Sequence, residues 1–219
     1  MIPLKDDNPT TIKPVVTITL IVMNVVIFLN QLGMDAQSYQ QFVYTYGAVP
    51  LQLIHGQNLH SVFTSMFLHG GIGHLLGNML FLWIFADNIE NLTGHGRFIV
   101  FYILCGLAAF STHFIMDPAS QVPMIGASGA ISGVLGAYAI RFPRAKVHVL
   151  WIFFFIISVD RIPAAVVLGL WFLFQIISAL GSSAASAGVA WYAHIGGFIA
   201  GILLIGFFQK RNVTVYFRR

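Results

Sequence analysis

Ser128 stands in Gly126-Ala127-Ser128-Gly129, inside an apolar stretch rich in Gly, Ala and Ser that runs over residues 122–141, VPMIGASGAISGVLGAYAIR. A serine among small residues at the start of a helix can leave its Oγ open to a substrate. At neutral pH that hydroxyl becomes a nucleophile only with a base beside it. His194, in the sequence AHIGGFIAG, is the candidate base. A third block, HGGIGHLLGN at residues 69–78, holds His74 and Asn78. They are four residues apart and project from one face of a helix. An Asn amide and an imidazole N–H, joined by the backbone N–H of Ser128, are donors suited to the oxyanion of a tetrahedral intermediate.

The bulk of the chain says where such chemistry would take place. The 219 residues are 58% hydrophobic and 8% charged, with mean hydropathy +0.83. Soluble domains carry roughly 25% charged residues, so these values describe a polytopic membrane protein. The length suits a single all-α bundle of six spans, at about 20 residues each. The net charge of +4 fits loops on one membrane face and anionic lipid, and no basic cluster interleaved with aromatics points to nucleic acid. Cys105 is the only cysteine, so no intrachain disulfide exists.

The apolar runs place spans near residues 14–32, 72–89, 98–116, 128–141, 162–180 and 189–208. A long segment, 33–73, joins the first two; it has no Lys or Arg but holds Phe42, Tyr44, Tyr46 and Phe63, which suits an element lying in the interface. Span four is about 14 residues, or about 20 Å at 1.5 Å per residue. That is too short for a hydrocarbon core of about 30 Å. One end must therefore sink into the bilayer thickness, facing protein or a water cavity. Residues 147–158, VHVLWIFFFIIS, are apolar but short and suit an interfacial or re-entrant segment. With six spans and a cytoplasmic N-terminus, all 11 Lys and Arg residues fall on the cytoplasmic face. The expected layout is a cytoplasmic N-terminal segment (1–13), a six-span membrane domain (14–209) and a basic cytoplasmic tail (210–219), in the cell (inner) membrane.

In this topology Ser128 and His194 both begin descending helices and lie a little below the outer surface. Gly129, Gly133 and Gly136 on span four, with Gly197 and Gly201 on span six, would let the two backbones approach closely. Taken singly, each glycine is as well explained by ordinary bundle packing. His69 reads as a structural hydrogen bonder at the start of span two. A metal site built from His69, His74 and His194 is disfavoured, because His at i and i+5 do not share a helix face as i and i+4 ligands do. Neither a metal nor a cofactor is expected. No Asp or Glu lies in the outer half of any span, so a hydrolase here would use a Ser-His dyad rather than a triad.

Three blocks, HGGIGHLLGNMLFLWIF, GASGAISGVLGAY and AHIGGFIAG, in this order and with a long outer segment after span one, resemble the rhomboid family of intramembrane serine proteases. The resemblance implies a serine endopeptidase that cleaves transmembrane segments of single-span membrane proteins. Ser128 would be the nucleophile and His194 the general base, with His74, Asn78 and the Ser128 amide as oxyanion donors. His69, Gly126, Gly129, Gly197 and Gly201 would support the site by hydrogen bonding and packing. Some members carry a Tyr four residues after the nucleophile that packs on the histidine; here that residue is Ser132. The competing reading is a catalytically silent module of the same fold that binds transmembrane clients. A transporter would show an internal repeat or polar residues at mid-depth on several spans, and neither is present.

Overall fold

The computed structural model describes residues 2–153, 155–181 and 189–210. The neutral loop expected over 181–188 lies almost wholly outside the described residues, as does the basic tail after Lys210.

The chain opens with strand β1 (Ile2–Asp6) and the spanning helix α1 (Val15–Leu32). Glu90, fully buried, holds the start of α1: its carboxylate accepts from the N–H groups of Val16 (2.9 Å) and Thr17 (2.8 Å) and from Thr17 Oγ (2.7 Å). An acid at a helix N-terminus satisfies otherwise orphaned donors and complements the helix dipole. The segment after α1 folds into short pieces, α2 (Ala36–Tyr46), α3 (Pro50–Ile54), α4 (Ser61–Thr64) and a 3-10 turn at Ser65–Phe67. Asp35 caps α2, its carboxylate accepting from Gln37 and Ser38 N–H at 3.0 Å each.

Two long helices follow, α5 (Ile72–Thr93) and α6 (His95–Met116), and then the short α7 (Ser128–Arg141). After the strand pair described below come α8 (Ala164–Gly181) and α9 (Trp191–Phe208). Five helices, α1, α5, α6, α8 and α9, are long and apolar enough to cross a membrane. The expected fourth span is α7, with 14 residues, about 21 Å at 1.5 Å per residue. It is the axis of the bundle: residues 130–138 are all buried, and α5, α6, α8 and α9 pack around it.

Small residues set how close those neighbours come. A methyl group at Gly197 would strike the carbonyl of Gly129, and one at Gly201 the carbonyl of Gly133. One at Gly136 would strike the backbone of Phe198. The obstructing atoms are backbone, which no rotamer change can move aside. The α7–α9 contact is thus backbone on backbone, the close approach that small residues permit between membrane helices.

The short apolar segment at 147–158 is built as strands. They lie in an antiparallel hairpin, β2 (Lys146–Phe153) and β3 (Ile156–Pro163), and β1 adds to it in the order β1-β2-β3. The physical reason is a run dense in β-branched and aromatic residues, each strand eight residues long, with Val147 and Val149 alternating into the core. A short apolar run of this kind cannot be assigned to helix or strand by periodicity alone. Nothing in the sequence of residues 1–13 marked 2–6 as a strand. Its pairing is nonlocal, Ile2 opposite Leu150 and Asp6 opposite Val147.

Because consecutive spans alternate in direction, Lys5, Lys13, Arg97, Arg141, Arg144, Lys146, Arg161 and Lys210 gather at one end of the bundle. Among the described residues the opposite end has no Lys or Arg.

Candidate active site

Ser128 is the first residue of α7, and His194 lies in the first turn of α9. Both helices start at the end of the bundle without basic residues. The close α7–α9 contact brings the two side chains together, with Ser128 Oγ 2.8 Å from His194 Nε2. They border a cavity of about 540 Å³ that is also lined by Gly70, His74, Asn78 and Gly126.

The histidine is held from three sides. Its Nδ1 is 2.8 Å from Gln175 Oε1 on α8. Gln175 is buried, and its own Nε2 donates to the Trp171 carbonyl at 3.1 Å, which leaves Oε1 to face the imidazole. The network therefore assigns the proton to Nδ1 and leaves the Nε2 lone pair toward Ser128. The Trp171 ring lies 6.0 Å from the imidazole, centroid to centroid, and Trp191 meets it edge-on at 6.1 Å. The hydroxyl of Ser132 donates to the Ser128 carbonyl at 2.6 Å.

Donors converge on the other side of the cavity. His74 Nδ1 accepts from Gly70 N–H at 3.3 Å, so its proton lies on Nε2. Gly126 has φ +117, in the left-handed region that favours glycine. A Cβ there would lie 2.7 Å from His74 Nε2 and 3.5 Å from Asn78 Nδ2. Only a residue without a side chain leaves the space before both donors free. α7 adds its own: the first intrahelical bond to this turn is Ile131 N–H to the Ala127 carbonyl, so the N–H of Ser128 is unused within the helix.

His69 supports Asn78. Their Nε2 and Nδ2 atoms are 3.0 Å apart, which employs one amide hydrogen and leaves the other for the cavity. Its backbone is clamped twice by Gln31 of α1: His69 N–H donates to Oε1 at 3.0 Å, and Nε2 donates to the His69 carbonyl at 3.1 Å. Burial, helped by the neighbouring His74 ring, pushes His69 down to about 4, so it is a neutral hydrogen bonder at physiological pH.

The structure thus brings Ser128, His194, His74, Asn78 and Gly126 to one cavity, with His69 directly behind it and Gly129, Gly197 and Gly201 at the helix contact below. Gln175 was missed by the sequence reading. Its signal was available: a single amide in the middle of AAVVLGLWFLFQIISALG, where a polar intramembrane side chain marks a functional candidate with a partner. Among the described residues no three His, Cys, Asp or Glu side chains form a group that could hold a metal ion. A hydroxyl on a fixed imidazole, facing three convergent N–H donors, is equipped for acyl transfer.

Residues 56–211 match the sequence profile of the Rhomboid domain. The chain is 32% identical over 125 residues to the Rhomboid protease GluP of Bacillus subtilis, which covers 57% of this chain and 24% of that protein. It is 31% identical over 159 residues to the mitochondrial Rhomboid protein 1 of Saccharomyces cerevisiae, 68% of this chain and 42% of that one. It is 30% identical over 90 residues to the mitochondrial Presenilin-associated rhomboid-like protein of Mus musculus, 40% of this chain and 24% of that one. The matched regions therefore span 24–42% of these relatives' length.

Proposed function

The chain belongs to the rhomboid family, and on that premise we propose that it is an intramembrane serine endopeptidase that cleaves membrane-spanning segments of other proteins. The observation that carries this reading is the 2.8 Å contact between Ser128 Oγ and His194 Nε2 at the edge of the donor-lined cavity.

Ser128 Oγ attacks the scissile carbonyl carbon while His194 Nε2 takes its proton. The imidazolium keeps its Nδ1–H on Gln175 Oε1, so the ring does not turn. The oxyanion is received by the Ser128 amide, Asn78 Nδ2 and His74 Nε2, each such donor being worth about 10²–10³ in rate. Collapse breaks the C–N bond, and His194 returns the proton to the leaving amine. Water, activated by His194, then hydrolyses the acyl-enzyme and restores both side chains. A peptide bond inside a helix is closed to attack by its own hydrogen bonds, so the substrate must unwind beside the cavity. The path for it is between α5 and α8, joined near the site by the Phe81–Trp171 ring contact with centroids 6.5 Å apart.

The positive-inside rule gives the orientation. The basic end of the bundle, with the N-terminal segment (1–13) and the tail (210–219), faces the cytoplasm, and the cavity opens toward the outer side of the cell membrane. The substrates are single-span membrane proteins, with membrane lipid as the surrounding solvent.

The test is cleavage of a reconstituted single-span substrate. Ser128→Ala and His194→Ala should each lower the rate by about 10⁵–10⁶, the scale seen when members of such a catalytic unit are removed, with unchanged thermal unfolding. A fluorophosphonate should label the wild type at Ser128 and neither variant. Cleavage retained in either variant would remove the dyad; a wild type that binds but never cuts such clients would make this a silent binding module.

A further inference from the structure

We propose that the tip of the β2–β3 hairpin is a membrane anchor, seated in the lipid leaflet at the basic end of the bundle. The tip is the most exposed apolar feature in that part of the chain: Phe155 is 100% exposed, Ile157 70% and Ile152 61%, with Trp151 and Val159 beside them. No charged residue occurs over 149–159. Register places Leu150 opposite Val159 and Ile152 opposite Ile157, and β1 sets Ile2 against Leu150. These residues form one apolar stripe on the face turned away from Val147 and Val149, which are buried against the bundle. Facing water, so large an apolar patch on a sheet would invite aggregation.

The level of the sheet identifies the occupant. β1 does not hang below the helix ends. Lys5 and Asp6 share a small cleft with Trp83, Ile84 and Asp87 of α5, and Asn88 Nδ2 donates to Asp6 at 3.1 Å. From there α5 runs on to Thr93, about 8 Å farther at 1.5 Å per residue. The hairpin has no linker: β2 starts five residues after α7 ends, and β3 leads directly into α8. The sheet is therefore tied to the membrane boundary, where Trp83 and Trp151 suit the interfacial aromatic belt. Its base carries Lys5, Arg144 and Lys146, while Arg161 is paired with Asp7, and Asp160 is the one further acid, on β3. Cations beside an apolar tip match a leaflet with anionic headgroups over hydrocarbon. Among the described residues the outer edge of β3 has no strand partner, and this limits the depth, because an open edge is not tolerated in the hydrocarbon core. The anchor enters the headgroup and upper acyl zone and goes no deeper.

The full chain in phosphatidylcholine–phosphatidylglycerol vesicles tests this. Phe155→Cys and, separately, Ile152→Cys carry an environment-sensitive fluorophore; Cys105 is buried and serves as the unlabelled background. Ala119→Cys, exposed in the loop before α7, is the aqueous control. Both tip probes should emit blue-shifted, be quenched by lipids spin-labelled near the headgroup and be shielded from iodide, with the reverse at Ala119. Tip probes open to iodide and unaffected by spin-labelled lipid would overturn the proposal. So would shielding that appears only as the protein-to-lipid ratio rises, because a second copy of the chain would then be the cover.

Discussion

α5 and α7 carry polar residues at both of their ends. At one end Asn78 and Ser128 border a cavity, with the Ser128 amide, the second amide hydrogen of Asn78 and His74 Nε2 left to serve it. At the other end Asn88 and Tyr138 donate to Asp6 of β1, while Glu90 is consumed by Val16, Thr17 and His95, the last at 2.5 Å. Polarity alone does not separate the two regions. Around Asp6 and Glu90 the carboxylates are taken up by several donors, and the cleft beside Asp6 is small, about 160 Å³. The network around Ser128 keeps donors in hand before a cavity of about 540 Å³. A buried donor without a partner costs about 1–3 kcal/mol, and under the proposed function the oxyanion would supply that partner.

The contrast can be broken by exchanging which property is damaged. Asn78→Ala should lower kcat for a single-span substrate by about 10²–10³, the range for one oxyanion donor, and should cost about 1–3 kcal/mol in unfolding because buried His69 Nε2 loses its partner. Asn88→Ala, ten residues along the same helix, should leave kcat intact. A kcat loss at Asn88 equal to that at Asn78 would erase the distinction. Glu90→Leu should differ from Asn78→Ala in sparing the rate. It strands the N–H groups of Val16 and Thr17 at about 1–3 kcal/mol for each buried donor left unsatisfied, read by detergent-titrated unfolding, while the rate per folded molecule stays near wild type.

Gln175→Met sharpens the comparison from the side of the histidine. It removes the acceptor for Nδ1–H without emptying the space. One net hydrogen bond is about 0.5–1.5 kcal/mol, so kcat should drop roughly twofold to tenfold at unchanged KM. Rescue by Gln175→Glu would assign the effect to ring positioning, whereas an unchanged kcat in Gln175→Met would show that the tryptophans suffice.

The smallest effect concerns pH at the basic end of the bundle. Burial, reinforced by the Asp87 carboxylate, pushes the Asp6 carboxyl up to about 7 against the opposing pull of the Tyr138 hydroxyl. From about pH 4 to 7 the unfolded chain therefore binds fewer protons at this position than the folded one. Its contribution to stability falls as pH rises through that window and levels off above it. Asp6→Asn should flatten this part of the stability profile. A slope surviving in Asp6→Asn would place the titration elsewhere.

The span boundaries were legible because apolar length and end signals are local. The reading of α1, α5 and α7 came within a few residues of the observed ranges, and α7 was recognisably too short to cross. The grouping of Ser128, His194, His74 and Asn78 was legible through spacing and through a topology that returns alternate helices to the same side. The strand pair was not, since VHVLWIFFFIIS satisfies both a buried helix segment and a strand, and β1 pairs with it across more than 140 residues.

The sequence by itself determined a polytopic helical chain, its depth-matched serine and histidine, and the glycines that permit close approach, because each follows from local composition or periodicity. Tertiary structure alone decided that Gln175 holds the imidazole, that His69 and Gln31 brace Asn78, and that residues 2–6 complete a sheet at the basic end. Those are contacts between side chains or strands far apart in the chain, and no local pattern encodes which partner a buried polar atom will meet.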